Sequence, residues 1–476
     1  MAQPPLVASR ARCLAALLLS LSVVGCGGPS ATAPAAGSGA FQGIVVAPEP
    51  QAAVIGRQVL AAGGDAADAA VAMGFTLAVT LPSRVGLGGS GACLSFIPGD
   101  RGPNAGTPRA FLFTPEAAPM PPGATSAATG DRPAALPLFA RGLYLLHAAA
   151  GRLPFAALLR PAEDAARRGV PTSRALAADL QVVAGPLLAD PAARAVFAPN
   201  GAVLTDGQTL RDPALAATLA RLRRVGVGDL YQGQLAARLV DEAAAAGGPM
   251  TIAALRTALA RVATPIVLPA GTARVAFLPP PADGGLAAAA AFQTLTATKG
   301  ALDQAQARAL AVAAAWRAGQ GTPAALLAAQ GLPAAGLGPL PASTTFLAVD
   351  RKGGAVACAT TLGNLFGTGR VLPGLGFLLA ASPARTPPPL LAAALAWDPR
   401  RQAFRAAVGG SGQEGAGLAA GVALADALTS GSPMVRPVPA PGRAQAIVCP
   451  QGLPGDAGAC AAAHDPRGLG LALGGR

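Results

Sequence analysis

A short hairpin in the last third of the chain constrains the fold more than any other feature. The run Thr344–Asp350 is apolar, and the chain turns at Gly353-Gly354 before it returns as Ala355–Thr361. Two extended runs joined by a Gly-Gly turn predict a β-hairpin. The preceding stretch, residues 331–343, is rich in Gly, Pro and Ala and predicts a loop. The first strand of the hairpin therefore begins abruptly at the hydroxyl-bearing residue Thr344.

A loop that ends at a threonine is a place where a chain could cut itself. If the bond between Ser343 and Thr344 breaks, Thr344 gains an α-amine with a reference pKa of about 7.7 to 8.0. That amine can act as the base for its own hydroxyl, so the nucleophile needs no histidine. This matters because the chain has only two histidines, His147 and His464. The simpler interpretation is that Thr344 only begins a hairpin.

Further blocks of sequence, in order along the chain, resemble the γ-glutamyltransferase family of N-terminal-nucleophile hydrolases. They include a first strand, a helical signature, a glycine-rich turn, three later blocks and the start of the family's small subunit, at residues 41–46, 61–70, 84–91, 136–143, 151–155, 279–285 and 344–369. The resemblance implies an α+β fold, the four-layer αββα sandwich of these hydrolases. It also implies a large-subunit-like region, 41–343, and a small-subunit-like region, 344–476, paired after self-cleavage.

The resemblance further implies roles for individual residues. Thr344 would be the nucleophile, and Thr361 matches a family hydroxyl that hydrogen-bonds it. The segment Val408–Gln413 approximately resembles the family's oxyanion loop, which makes Gly409, Gly410 and Gly412 candidate sources of the oxyanion-binding N–H groups. The implied reaction is covalent acyl transfer from an amide substrate to Thr344.

Several positions depart from the family pattern. Pro115 stands where the family has an arginine that holds the glutamyl α-carboxylate, and Ala380–Arg385 replaces acidic residues that hold the α-amine. Arg84 or Arg385 could substitute for the missing arginine. The family's asparagine after the helper threonine is displaced by one position, to Asn364. Loss of these charged hydrogen bonds would weaken selection of a zwitterionic substrate end.

Three functions are therefore compatible with the sequence. The first is a γ-glutamyltransferase or hydrolase that acts on glutathione-like amides with rearranged contacts, and the family resemblance favours this assignment over the other two. The second is a threonine-nucleophile amidase with a different, less polar acyl group, which the missing glutamyl contacts favour. The third is a non-catalytic envelope lipoprotein that keeps the fold as a binding module. Retention of Thr344, Thr345 and Thr361 favours chemistry over the third.

The N-terminus predicts export and a lipid anchor. Leu14–Val24 is apolar, follows two arginines and is too short to span a bilayer, which is typical of a secretory signal over residues 1–25. Val23-Val24-Gly25-Cys26 resembles a bacterial lipobox, which predicts a lipidated Cys26 on the periplasmic side of the envelope. Residues 26–40 would be a Gly/Ser/Ala/Pro tether. The alternative is an ordinary signal peptide cleaved nearby.

Composition and cysteine usage narrow the possible partners. The formal charge is +13, but the basic residues are scattered and aromatic residues make up only 4%, which argues against a nucleic-acid partner. No spacing of residues predicts a metal site or a cofactor. Cys449 and Cys460 bracket a turn-rich loop and predict a local disulfide, whereas Cys93 and Cys358 lie in apolar strands and predict buried thiols.

Hydrophobic periodicity predicts a strand at 273–278 and a series of helices. The helices are predicted at 61–80, 140–150, 155–168, 212–225, 234–246, 252–262, 285–297 and 304–318.

Overall fold

The computed structural model describes residues 41–99, 105–119, 131–298 and 300–475. Its strands, in chain order, are β1 (Gly43–Ala47), β2 (Ser90–Phe96), β3 (Arg109–Phe113), β4 (Val170–Pro171), β5 (Thr209–Leu210), β6 (Arg261–Ala263), β7 (Ile266–Ala270), β8 (Ala273–Phe277), β9 (Thr344–Asp350), β10 (Ala355–Thr361), β11 (Ala392–Asp398), β12 (Ala403–Ser411), β13 (Arg443–Leu453), β14 (Ala461–His464) and β15 (Leu471–Leu473).

Most of the helices lie in the first two thirds of the chain, often in consecutive pairs or longer groups. They are α1 (Pro50–Ala61), α2 (Ala66–Thr80), α3 (Phe139–Ala150), α4 (Phe155–Arg168), α5 (Arg174–Leu188), α6 (Pro191–Phe197), α7 (Pro213–Val225), α8 (Asp229–Gln232), α9 (Gln234–Ala245), α10 (Ile252–Thr257), α11 (Gly284–Ala297), α12 (Leu302–Arg317), α13 (Pro323–Ala328) and α14 (Ala416–Ser430). Among the described residues, none of these helices is long and apolar enough to span a bilayer.

Two large antiparallel sheets face each other. The seven-stranded sheet has the order β15-β1-β9-β10-β2-β3-β6, and the six-stranded sheet has the order β14-β13-β12-β11-β8-β7. Each sheet contains strands from before and after Thr344, and β1 lies between β15 and β9. The central strands are buried on both faces. This explains why their sequences are continuously apolar rather than alternating between apolar and polar residues.

Three hydrophobic cores separate four layers. One core joins the seven-stranded sheet to α1–α4 and their neighbours, a second lies between the two sheets, and a third joins the six-stranded sheet to α11, α12 and α14. The order of layers is therefore helix, sheet, sheet, helix, and the predicted αββα sandwich is confirmed. Small residues bring the outer helices close together. A Cβ atom at Gly417 of α14 would lie 2.7 Å from the Cβ of Ala287 on α11.

Most of the predicted elements are present, with one error in type. The predicted helix 252–262 ends at Thr257, and residues Arg261–Ala263 instead form β6, which pairs with β3 at the edge of the seven-stranded sheet. The tertiary contact overrides the local helical periodicity. Six helices of the described chain were not predicted, namely α1, α5, α6, α8, α13 and α14. The proposed signal and tether, residues 1–40, lie outside the described residues.

The expectation that Cys93 and Cys358 are thiols is wrong. They are directly opposite each other on the paired strands β2 and β10, with their Cα atoms 4.0 Å apart, and form a disulfide. The two residues are separated by 265 positions in sequence, so only strand register could bring them together. A second disulfide joins Cys449 to Cys460 across 11 positions.

Candidate active site

Thr344 is the first residue of β9 and lines a small pocket between the ends of the two sheets. It is 2% exposed and lies opposite Thr360 on the neighbouring strand β10. The pocket spans about 320 Å³, part of which is open to solvent. Its lining residues come from both halves of the chain and are Pro48, Arg84, Thr344, Ser411, Arg443, Ala444, Gln445, His464, Asp465, Gly468 and Gly470.

Thr361 holds the segment that leads into Thr344. Its hydroxyl donates a hydrogen bond of 2.7 Å to the carbonyl oxygen of Ala342, two residues before Thr344. The same oxygen accepts a 2.9 Å hydrogen bond from the N–H of Gly363. The backbone at position 363 has a φ of +77°, a left-handed conformation that favours glycine. The turn after β10 thus orients the Thr361 hydroxyl toward the predicted cleavage site.

Ser343, the residue before the predicted cut, is also held. It is 2% exposed, and its hydroxyl lies 3.5 Å from the carbonyl oxygen of Leu390. Ser343 and Thr344 are therefore both fixed within the folded body, although loop-like residues lead into them. Fixed geometry around a reacting carbonyl lowers the entropic cost of an intramolecular attack.

The three predicted oxyanion glycines lie in different surroundings. Gly409 faces the other sheet, where an added Cβ would lie 2.6 Å from the Oγ1 of Thr345. Gly410 faces α14, where an added Cβ would lie 2.1 Å from the Ala416 carbonyl oxygen. Gly412 follows the end of β12 with a φ of +98°. Gly409 thus allows the six-stranded sheet to approach the start of β9 closely. The role of the three glycines in binding an oxyanion stays a prediction.

The three predicted substrate-binding residues are not brought together. Arg84 lines the Thr344 pocket, but its guanidinium binds Asp179 through Nε at 2.7 Å and a terminal nitrogen at 2.6 Å. Ser83 donates a further hydrogen bond of 2.7 Å to the same carboxylate. Arg385 and Asn364 are exposed and do not line the pocket.

Besides Asp465, which pairs with Arg467, sequence reasoning missed four polar residues on the other side of the pocket. Ser411 lies directly opposite Arg443 in the pairing of β12 with β13, and Gln445 lies opposite His464 in the pairing of β13 with β14. Ser411 falls within the glycine-rich segment that was singled out, but the other three belong to no recognisable motif. In the described parts of the chain, no cluster of three or more His, Cys, Asp or Glu residues could hold a metal ion.

A second cavity is apolar and lacks a nucleophile among its lining residues. It spans about 420 Å³, part of which is open to solvent, between the helical region and the turn around Gly86. Phe197, Leu362 and Phe377 are among its lining residues. Its one ionisable side chain is Asp212, which caps α7 by accepting a 2.9 Å hydrogen bond from the Leu215 N–H. Burial raises the pKa of Asp212 from 3.8 to about 6, and the capping hydrogen bonds offset part of that effect.

The raised pKa of Asp212 makes stability depend on pH. Because the folded state holds this proton more tightly than the unfolded state, the contribution of Asp212 to stability falls as pH rises from 3.8 to about 6. Asp212→Asn keeps a capping oxygen and removes the charge. We expect the free energy of unfolding of the variant, relative to wild type, to rise by about 2 to 3 kcal/mol between pH 4 and pH 7.5. Urea unfolding at both pH values measures this difference.

The exposed Asp206 provides the matched control for this experiment. Asp206→Asn should show a much smaller change between the two pH values. A stability difference for Asp212→Asn that does not vary with pH would contradict the assignment.

The fold matches that of solved proteins. A solved cephalosporin acylase from Bacillus halodurans superposes with a TM-score of 0.73 at 20% identity, over 91% of this chain and 96% of that one. This likeness identifies the fold as that of the N-terminal-nucleophile hydrolases. The gamma-glutamyltranspeptidase family model matches residues 52–321. The chain therefore belongs to the gamma-glutamyltranspeptidase family.

Sequence relatives agree with the family. The glutathione hydrolase proenzyme of Bacillus subtilis is 32% identical over 258 residues, which are 51% of this chain and 43% of that protein. An acylase ACY 1 proenzyme from a Pseudomonas species is 33% identical over 226 residues, 45% of this chain and 40% of that protein. The chain thus spans less than half the length of the curated relatives it matches.

Proposed function

We propose that this protein is an acyl hydrolase or acyltransferase that cleaves its own chain before Thr344 and then uses Thr344 as an N-terminal nucleophile. The observation that carries the proposal is the position of Thr344. It lies at the first residue of a buried central strand, lines a pocket with polar walls, and follows a segment held by Thr361. The names of two relatives, a glutathione hydrolase proenzyme and an acylase proenzyme, support a processed acyl-transfer enzyme.

Self-cleavage would proceed through an ester. The Oγ1 of Thr344 attacks the carbonyl carbon of Ser343, the C–N bond breaks, and the nitrogen takes a proton to become the free α-amine of Thr344. Water then hydrolyses the ester, which releases the Ser343 carboxylate and regenerates the Thr344 hydroxyl. Thr361 supports this step because its hydrogen bond to the Ala342 carbonyl fixes the peptide unit that immediately precedes the reacting one.

The same oxygen would then act on the substrate. The α-amine of Thr344 accepts the hydroxyl proton as Oγ1 attacks a substrate amide, and the proton passes to the departing amine. Water or an acceptor amine resolves the acyl-enzyme, which gives hydrolysis or transfer respectively. Cleavage would free the C-terminal end of the larger fragment, so that Ala342 could move away while the fragments stay paired. The hydroxyl of Thr361 would then be available to hydrogen-bond the processed Thr344.

γ-Glutamyl amides are the second, narrower candidate substrate, and the family relationship is what favours them. Their selection would need partners for an α-carboxylate and an α-amine. Arg84 is bound to Asp179, Arg385 is exposed, and Pro115 does not line the pocket. The altered acyl specificity predicted from the sequence is therefore the better-supported proposal.

Intact mass spectrometry tests the proposed function directly. After reduction of its disulfides, purified protein should give two fragments, with the smaller beginning Thr-Thr-Phe. A brief incubation with an acyl p-nitroanilide should add the acyl mass to that smaller fragment. A single chain that neither cleaves nor acylates would instead support the non-catalytic lipoprotein.

We further propose that Cys26 is lipidated and tethers the protein to the periplasmic face of a membrane, on the evidence of the sequence Val23-Val24-Gly25-Cys26. Cys26→Ser should move the protein from the membrane fraction to the soluble fraction, because no acyl chain would then anchor it. Fractionation followed by immunoblotting measures the change. Unchanged membrane association would contradict lipidation at Cys26.

A further inference from the structure

The predicted tether joins the folded body at the end of the sandwich opposite Thr344. Thr344 begins β9 and Asp350 ends it, and the strand spans about 20 Å between them. Strand β1 pairs with β9 so that Gly43 lies opposite Asp350. The tether predicted for residues 26–40 is followed directly by Phe41, so it meets the described chain near Asp350. We call this end the distal end and define it by residues 105–109, 271–274, 351–354 and 399–402.

Both sheets turn at the distal end. The β11–β12 turn connects the strand ends that lie away from the Thr344 pocket. An added Cβ at Gly106, between β2 and β3, would lie 3.0 Å from the Nε2 of Gln402 in that turn. An added Cβ at Gly353, in the β9–β10 turn, would meet the carbonyl oxygen of Leu453 at the end of β13. Turns of the seven-stranded sheet therefore contact turns and strand ends of the six-stranded sheet on one surface.

The turns of the distal end direct carboxylates inward and cations outward. Asp350 and Asp398 are buried, and each accepts hydrogen bonds from backbone N–H groups of its own turn. The arginines of the same turns, Arg351, Arg400 and Arg401, are exposed. None of these three forms a salt bridge with another described residue. Their charges are therefore presented to solvent.

The other charged groups leave the distal end basic. Arg274 is exposed on β8, and Arg109 is half-buried at the start of β3. Lys352 lies 3.8 Å from Asp65, and Asp456 is exposed on the loop after β13. These two acids cannot balance all the cations of the distal end, so the surface keeps an excess of positive charge and complements an anionic partner.

A groove lies between the outer strands of the two sheets at the same end. These strands are β6 of the seven-stranded sheet and β7 of the six-stranded sheet. The groove spans about 1580 Å³, part of which is open to solvent, and the charged residues in its described lining are Arg109 and Arg274. Trp397 forms part of its wall, and Val262 and Val267 are exposed within it by 39% and 38%. Arginine, tryptophan and exposed aliphatic side chains together suit the headgroup region of a bilayer.

We propose that the distal end docks on an anionic phospholipid surface, with lipid headgroups in the groove and the turn arginines against neighbouring phosphates. Arg351, Arg400 and Arg401 lie outside the groove and on both sheets. The partner must therefore cover the whole end, as a membrane does and a single extended peptide does not. Docking turns the Thr344 pocket away from the bilayer. This goes beyond the proposed lipidation of Cys26, because a lipid anchor alone holds the body near a membrane without fixing its orientation.

Docking through the distal end is weak and reversible. A basic residue close to an anionic bilayer raises the binding constant by about fivefold, and salt screens the attraction over about 8 Å at physiological ionic strength. The arginine contacts alone do not hold the protein in the membrane fraction of a dilute extract. The release expected for Cys26→Ser is therefore consistent with docking.

Vesicle binding tests the distal end without the lipid anchor. Purified Cys26→Ser protein should cosediment at low salt with phosphatidylcholine vesicles that contain about one third phosphatidylglycerol, and about 0.5 M salt should release it. It should not bind vesicles of phosphatidylcholine alone. The combined substitutions Arg351→Gln, Arg400→Gln and Arg401→Gln should weaken binding by about a hundredfold. Equal binding to neutral vesicles, or unchanged binding of the combined variant, would overturn the proposal.

A second combined variant provides the control for net charge. Arg160, Arg174 and Arg256 are exposed on helices α4, α5 and α10 and lie outside the distal end. Their replacement by Gln lowers the net charge by the same amount, and binding should stay within about threefold of the Cys26→Ser protein because of screening. An equal loss in both combined variants would assign the binding to general surface charge and would contradict docking through the distal end.

A glutamate-rich peptide tests the competing occupant of the groove. Arg274→Gln should weaken vesicle binding by about fivefold, because the groove loses one of its two cations. The peptide should not bind at protein concentrations that bind the vesicles. Peptide binding that Arg274→Gln abolishes, without vesicle binding, would assign the groove to an acidic protein partner and overturn the membrane proposal.

Fluorescent labels test the orientation of the bound protein. Thr272 is exposed in the β7–β8 turn of the distal end, and Ala384 is exposed close to Ala381, which contacts the turn after β10. In Cys26→Ser protein on anionic vesicles, a label on Thr272→Cys should be quenched by lipids with a nitroxide headgroup, and a label on Ala384→Cys should not. If Cys26 carries no lipid but only the distal label is quenched, lipidation fails and docking stands. If Cys26 is lipidated but both labels respond alike, docking alone fails.

Discussion

Thr344→Ala is expected to leave the protein as one uncut chain and to reduce amide turnover by at least about a thousandfold, because it removes the proposed nucleophile from both reactions. Thr344→Ser keeps a hydroxyl at the same position and should still cleave, although at a different rate. Denaturing gels under reducing conditions measure cleavage, and acyl p-nitroanilide hydrolysis measures turnover.

The neighbouring hydroxyl supplies a matched control for Thr344. Thr345 is buried on the same strand and contacts the position of Gly409, so Thr345→Val preserves its volume and removes only the hydroxyl. This variant should cleave before Thr344 as wild type does. Cleavage in Thr344→Ala, or its loss only in Thr345→Val, would assign the nucleophile to another residue.

The second large effect concerns the disulfide between Cys93 and Cys358. Cys93 lies before the predicted cut and Cys358 lies after it, so this bond should link the two fragments covalently. Processed protein, alkylated before denaturation, should run as one band without reductant and as two bands with reductant. Thr344→Ala should run as one band in both conditions, which separates a linked pair from an uncut chain.

Two double variants identify which disulfide links the fragments. Cys93→Ala with Cys358→Ala should give two bands even without reductant. Cys449→Ala with Cys460→Ala removes a disulfide that lies wholly after the cut, so its fragments should stay linked. Wild-type fragments that separate without reductant would contradict the Cys93–Cys358 bond.

Much of the fold could be predicted because its elements carry local signals. The hairpin at Thr344 has a Gly-Gly turn, and its geometry is reinforced by Asp350, whose carboxylate accepts hydrogen bonds from the N–H groups of Lys352 and Gly354. The αββα arrangement came from the family resemblance rather than from periodicity. Strand β6 was misassigned because its stability comes from pairing with β3, more than 140 residues earlier, and not from its own sequence.

The candidate site was only partly predictable for the same reason. Thr344 and Thr361 lie on one hairpin, so local sequence placed them together. Arg443 and Gln445 reach the pocket through the register of β12 with β13, which no spacing along the chain reveals. The sequence offered Arg84 for the substrate without placing it, and the structure puts it in the pocket wall. Its partner Asp179 lies 95 residues away in sequence, and the ion pair between them commits the Arg84 side chain.

Because the two halves of the chain share both sheets, the proposed self-cleavage would follow a set order of events. Strand β1, from the first half, lies between β15 and β9, which both come from the second half. Neither half alone can complete either sheet, so fragments made separately would each expose unpaired strand edges and apolar faces. Cleavage that waits for the aligned Thr344 and Ser343 would occur only in chains that have already assembled these sheets. The presence of the cut would then show that a given molecule had folded. The fraction of uncut chains in a preparation would measure the fraction of molecules that had not folded.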